Sequence, residues 1–136
     1  MATRLDRHQA RVDALNLLGR PLARRAHSKC ELCGASSDDG HGALRPWEVG
    51  PGGEEEPEVD RCVLLCERCT GAAAGGRLGD GGELRFLESV MWSEVSAVQV
   101  CAVRLLRRLR DGGAGWAGDA LDGLYLDPVV EAWVDG

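Results

Sequence analysis

The chain of 136 residues lacks the features that would place it quickly in several large classes. No apolar run approaches a membrane span. Met1 to Gly19 is polar and helical in pattern, without the apolar segment of a secretory leader. A cytoplasmic location is therefore expected. Catalytic signatures are missing as well. There is no Ser-His-Asp order with supporting glycines, no phosphate loop and no HExxH. The glycine-rich stretches lack the strand–turn–helix context of a phosphate loop, and Glu54–Glu58 lie in a loop without partners. The three histidines, His8, His27 and His41, are scattered. A non-enzymatic protein is expected.

A basic character overall is also absent. The formal net charge is -6, and it is unevenly placed. Residues 1–30 carry seven basic side chains (Arg4, Arg7, Arg11, Arg20, Arg24, Arg25, Lys29) against Asp6 and Asp13, about +5, which leaves about -11 on the rest. A domain dedicated to nucleic acid is usually basic throughout. Only the stripe Arg4, Arg7 and Arg11, extended by Arg24 and Arg25, offers a route to nucleic acid. Pairing of that stripe with the acidic remainder is the plainer expectation, with a protein as partner.

What the chain does have is cysteine in two close pairs, Cys30-Glu31-Leu32-Cys33 and Cys66-Glu67-Arg68-Cys69. Two residues between cysteines let a tight turn aim both sulfurs at one point, and two such pairs complete a tetrahedron. Gly34 suits the first turn because glycine accepts positive φ. Four protein sulfurs leave no position for water, so such a site holds structure. In a reducing compartment paired cysteines favour metal over disulfide. One structural Zn2+ is expected. A rubredoxin-like iron site uses the same ligands, and a pair of redox dithiols is the remaining alternative.

Two cysteines stand outside the pairs. Cys62 is four residues before Cys66, and on a strand 62, 64 and 66 share a face. It reads as a buried strand cysteine, with approach to the metal as the sharper alternative. Cys101 reads as helical core. His27, beside the first pair, reads as solvated, with a hydrogen bond to a thiolate as the sharper alternative, and His41 reads as exposed in a turn. Trp92, Trp116 and Trp133 are expected to anchor C-terminal helices. A base-stacking surface would need a basic groove.

The periodicities predict an α+β fold in three parts: N-terminal helices (1–26), a four-cysteine zinc-ribbon or treble-clef-like module with acidic and glycine-rich loops (27–82), and a helical part (83–136). Residues 3–18 form an amphipathic helix with Leu5, Val12, Leu15 and Leu18 as its stripe, Gly19 as its stop and Pro21 opening a second helix. Leu44–Val49 and Arg61–Leu65 are the strand candidates, the first interrupted by Pro46. Gly71–Gly82 is expected to lack order beyond one helical turn. The strongest helix runs from Ser93 to Arg110, with Val95, Val98, Ala102, Leu105 and Leu109 on one face. Trp116–Tyr125 is a short helix. Asp127-Pro128 is an N-cap and first-turn proline opening a last one.

Five separated blocks, SKCELCGA (28–35), WEV (47–49), DRCVLLCERC (60–69), MWSEVSAVQV (91–100) and LDGLYLD (121–127), together resemble the PhnA family of bacterial proteins, named for an alkylphosphonate-utilisation operon. The resemblance covers most of residues 20–134. It implies an N-terminal zinc-ribbon portion whose ligands map onto Cys30, Cys33, Cys66 and Cys69. Members commonly continue into a small SH3-like barrel, whereas this chain ends at Gly136. Ser96 stands where the family usually has proline. The family name records operon context, and phosphonate hydrolysis is not implied. A fainter similarity links the helix, CxxCG, loop, strand and LCxxC to the zinc frame of HNH-type nucleases. Those enzymes need histidines between the pairs. Here that segment offers Trp47-Glu48-Val49 and His41 alone, so cleavage is not expected.

Overall fold

The computed structural model describes residues 3–53 and 55–136. Glu54, one of the loop carboxylates read above as lying without partners, falls outside the described residues, as do Met1 and Ala2.

The first helix, α1 (Arg4–Asn16), opens on a capping box: the Asp6 N–H donates to the Thr3 hydroxyl, and the Thr3 N–H donates to the Asp6 carboxylate. It buries no residue, and Leu5 is 79% exposed, so the stripe predicted from Leu5 to Leu18 meets the protein only along its later turns. Gly19 does not stop a helix. The break falls at Leu17–Leu18, and Gly19 begins α2 (Gly19–Ala26), whose Leu22 is fully buried. His27 and Ser28 then adopt left-handed conformations (φ 54 and 57), turning the chain into the first cysteine pair.

Strand β1 (Arg45–Glu48) pairs antiparallel with β2 (Cys62–Leu65), with Arg45 opposite Leu65 and Glu48 opposite Cys62. Successive side chains of a strand face opposite ways, and both sides of β2 are covered. Cys62 and Leu64 meet Leu22 of α2, while Val63 and Leu65 join the larger core. Helix α3 (Glu67–Ala73) follows β2 directly, and α4 (Leu87–Val90) precedes the long α5 (Ser96–Asp111). Helices α6 (Gly115–Asp122) and α7 (Pro128–Asp135) close the chain. Asp127 caps α7 through the Val129 N–H, with Pro128 at its first position, as predicted. The class is α+β, a two-stranded sheet among helices.

Helix α5 differs from its expected form in two ways. It starts at Ser96 because Val95 is extended, and the Ser93 hydroxyl accepts the Val95 N–H from outside the helix. Ser96 thus occupies the first helical position, the one that tolerates proline best. It is also buried on more than one face. Ala97, Val100, Cys101, Val103 and Leu106 are buried along with Val98, Ala102, Leu105 and Leu109. A helix apolar nearly all round is a central one, and α5 packs against β2, α3, α4, α6 and α7.

The glycine-rich stretch is held rather than loose. Helix α3 reaches Ala73, and Arg108 of α5 donates to the carbonyls of Ala72 (2.6 Å) and Gly76 (2.8 Å). Trp116 and Trp133 pack against the core as expected, under the guanidinium groups of Arg85 and Arg61. Trp92 does not anchor a helix, being 52% exposed. Among the described residues no helix is long and apolar enough to cross a membrane.

Candidate metal centre

The first cysteine pair forms a knuckle. Gly34 at φ 80 lets its N–H donate to the Cys30 carbonyl (2.9 Å), while the Cys30 N–H donates to the Ala35 carbonyl (2.8 Å). The second pair is not another knuckle. Cys66 is the N-cap of α3, and its sulfur accepts the N–H of Cys69 in the first turn at 3.4 Å. Knuckle, antiparallel hairpin and a helix carrying two cysteines at its start make a treble clef rather than a ribbon. Because β2 runs straight into α3, its pairing with β1 sets where Cys66 and Cys69 lie.

Glu31, inside the first pair, fastens the knuckle to β2. Its N–H donates to the Leu64 carbonyl (2.8 Å), and its carboxylate accepts the Leu64 N–H (2.9 Å). Arg25 of α2 clasps the same carboxylate through Nε and Nη2 and also donates to the Val59 and Cys62 carbonyls. This brace was not legible in sequence, because Glu31 sits among cysteines like any spacer.

The four sulfurs lie within 4.8 Å of one another, and Cys33 Sγ is 3.7 Å from Cys66 Sγ. A metal about 2.3 Å from each of four tetrahedral sulfurs sets them about 3.8 Å apart. The donor set therefore fits a thiophilic metal ion. The thiols also bias one another. A hydrogen-bonding interaction with Cys69 holds the Cys30 thiol well below the ordinary thiol range. Cys69 is held far above the ordinary thiol range, first by that hydrogen bond, then by burial and its charged neighbours. Burial likewise raises Cys66. Such crowding lets few thiolates form together unless a cation joins them.

The other candidates fall outside this cluster. Cys62 packs with Leu22 and Leu64, and burial raises its thiol to about 11. Cys101 lies in the α5 core, where burial raises it to about 12. Of the two histidine expectations, solvated His27 holds and exposed His41 does not. His27 is exposed beyond α2, while His41 is half-buried with Nδ1 4.0 Å from Cys33 Sγ.

The basic stripe is partly spent within the protein. Arg11 makes a bidentate pair with Glu48 (2.9 and 2.6 Å) and donates to the Glu55 carbonyl. Arg7 and Arg11 line a hollow of about 480 Å³ facing Glu55 and Glu56. Arg25 is committed to Glu31, whereas Arg4, Arg7 and Arg24 remain exposed.

The chain was compared with family models, curated proteins and solved structures, and it matches none of them.

Proposed function

We propose that Cys30, Cys33, Cys66 and Cys69 hold one structural Zn2+, and that the chain is a PhnA-like, non-catalytic binding module for a protein partner. The observation that carries the metal reading is the gathering of four sulfurs within 4.8 Å of one another, with Cys33 and Cys66 at 3.7 Å. Four thiolates saturate zinc, so the ion ties the knuckle to α3 and leaves no position for a substrate. Zinc fits this all-sulfur set, and iron is the competing metal.

A protein partner is favoured over nucleic acid by the fate of the arginines. A phosphate-binding stripe must be free to release counterions. Here Arg11 is clasped by Glu48, Arg25 by Glu31, and Arg7 faces the acidic loop.

Native mass spectrometry of gently purified protein tests the metal, with one zinc per chain expected. Less than about half an equivalent of any metal would overturn the site. Gel-shift titration at low salt is expected to find no tight nucleic-acid complex. Salt-dependent binding lost on changing Arg4, Arg7 and Arg24 to Ala would transfer the function to nucleic acid. Steady phosphate release from a phosphonate or phosphoester, abolished by a single substitution, would replace the binding module with a hydrolase.

A further inference from the structure

Of the four clustered cysteines three are buried, and only Cys33 reaches the surface. The Cys66 sulfur already receives a backbone N–H from Cys69. The Cys33 sulfur faces a side chain instead, His41 Nδ1 at 4.0 Å. We propose that His41 is a positioning residue of the metal centre, donating its Nδ1–H to the Cys33 thiolate. The proposal rests on the metal reading above.

The chemistry fixes the direction of that bond. A metal-bound thiolate carries no proton and can only accept, so the nitrogen must donate. The proton therefore sits on Nδ1. Four thiolates around a divalent ion leave an excess of two negative charges. A donor at the most exposed sulfur draws off part of that charge where water and competing chelators arrive first.

The backbone is shaped to hold the ring there. His41 lies between Gly40 (φ 82) and Gly42 (φ 89), two left-handed positions that suit glycine. Its carbonyl accepts the N–H of Arg68, a residue between the second pair of cysteines, at 3.3 Å. A side chain at Gly42 would collide with Glu67 in the first turn of α3. The loop is thus pinned to the helix that carries Cys66 and Cys69, and its histidine reaches across to the knuckle.

The test uses the full chain, loaded with zinc or with cobalt. His41→Phe keeps a ring but removes the donor, and His41→Asn offers an amide N–H near the position of Nδ1. The wild type should carry one zinc, and its failure to do so would sink the metal reading itself. With zinc bound, His41→Phe should still load one equivalent but release it to excess chromophoric chelator about tenfold faster, the lower end of what such outer partners contribute. Its cobalt form should show a shifted sulfur-to-metal charge-transfer band. His41→Asn should restore both rate and band. Wild-type release with an unshifted band in His41→Phe, or an Asn variant that behaves like Phe, would overturn the proposal while leaving the metal site standing. Should His41→Phe fail to load, His41→Asn decides. Loading with the wild-type release rate upholds the role, and a second failure assigns His41 to folding and overturns it.

Discussion

The two sides of β2 are held by different physics. Val63 and Leu65 enter a continuous core that runs from the cysteine cluster along α5 to Val130 and Val134 of α7. Cys62 and Leu64 meet only a small cluster around Leu22, and α1 beyond it buries nothing. There the N-terminal helices rely on two ion pairs, Arg25–Glu31 and Arg11–Glu48. One side is a hydrophobic interior, little affected by salt. The other is a docked arm whose attachment is part electrostatic and responds to ionic strength. The acidic excess of the body thus has a local use: it supplies the carboxylates that hold the basic arm.

Cutting the metal should have the largest effect on this contrast. Cys66→Ala is expected to abolish stoichiometric metal and cooperative thermal unfolding, since the binding energy of a structural zinc is folding energy. Retained metal and an unchanged melting profile would refute that. Acidification should do the same more gently. Release of the metal takes up protons on the thiolates, so affinity falls as pH falls, which metal analysis after dialysis at stepped pH would follow.

Next comes the core itself. Leu106, fully buried in α5, changed to Ala should cost about 2–5 kcal/mol. Urea denaturation should find that loss nearly equal in low and high salt.

Glu48→Gln strikes the other side of β2. Removing the partner of Arg11 should cost about 1 kcal/mol or less, because Arg11 keeps some solvent. Faster amide exchange confined to α1 is the expected result, with high salt producing the same change in the wild type. Exchange that quickens equally in α5 would erase the distinction between arm and core.

The smallest effect at neutral pH belongs to Cys62. Its thiol is raised to about 11 by burial, so its folded value exceeds its unfolded one. The stability from burying the neutral thiol is fully present below the unfolded value near 9 and is lost as pH rises through about 11. Cys62→Ala should flatten the part of the alkaline limb that falls between those values. Cys101, raised to about 12, should lose its contribution later.

Much of this was legible because it is written in short spacings. The two CxxC pairs named the clustered sulfurs, and Asp127-Pro128 marked the start of α7. The two strands followed from apolar runs beside turn residues. Other features were hidden by what linear reading discards. A search for one apolar face of α5 passes over Ala97, Val100 and Val103, which fill its other sides. The true start of α5 depends on a serine that caps without being the cap. His41 comes to Cys33 through two left-handed glycines, and the sequence around it looks like an ordinary flexible turn. The Arg25 brace joins residues six apart, outside any helical or strand period.

Helix α3 is fastened at both ends by unlike means. Cys66 and Cys69 hold its start to the cysteine cluster, and Arg108 grips the Ala72 and Gly76 carbonyls at and just beyond its end. A helix usually frays from whichever terminus is free, and this one has none. Its amides should exchange only through an opening that also frees α5, making cysteine cluster, α3 and α5 one cooperative unit. Occupancy of the cluster would then be felt about two helical turns away, through a guanidinium that never touches a sulfur.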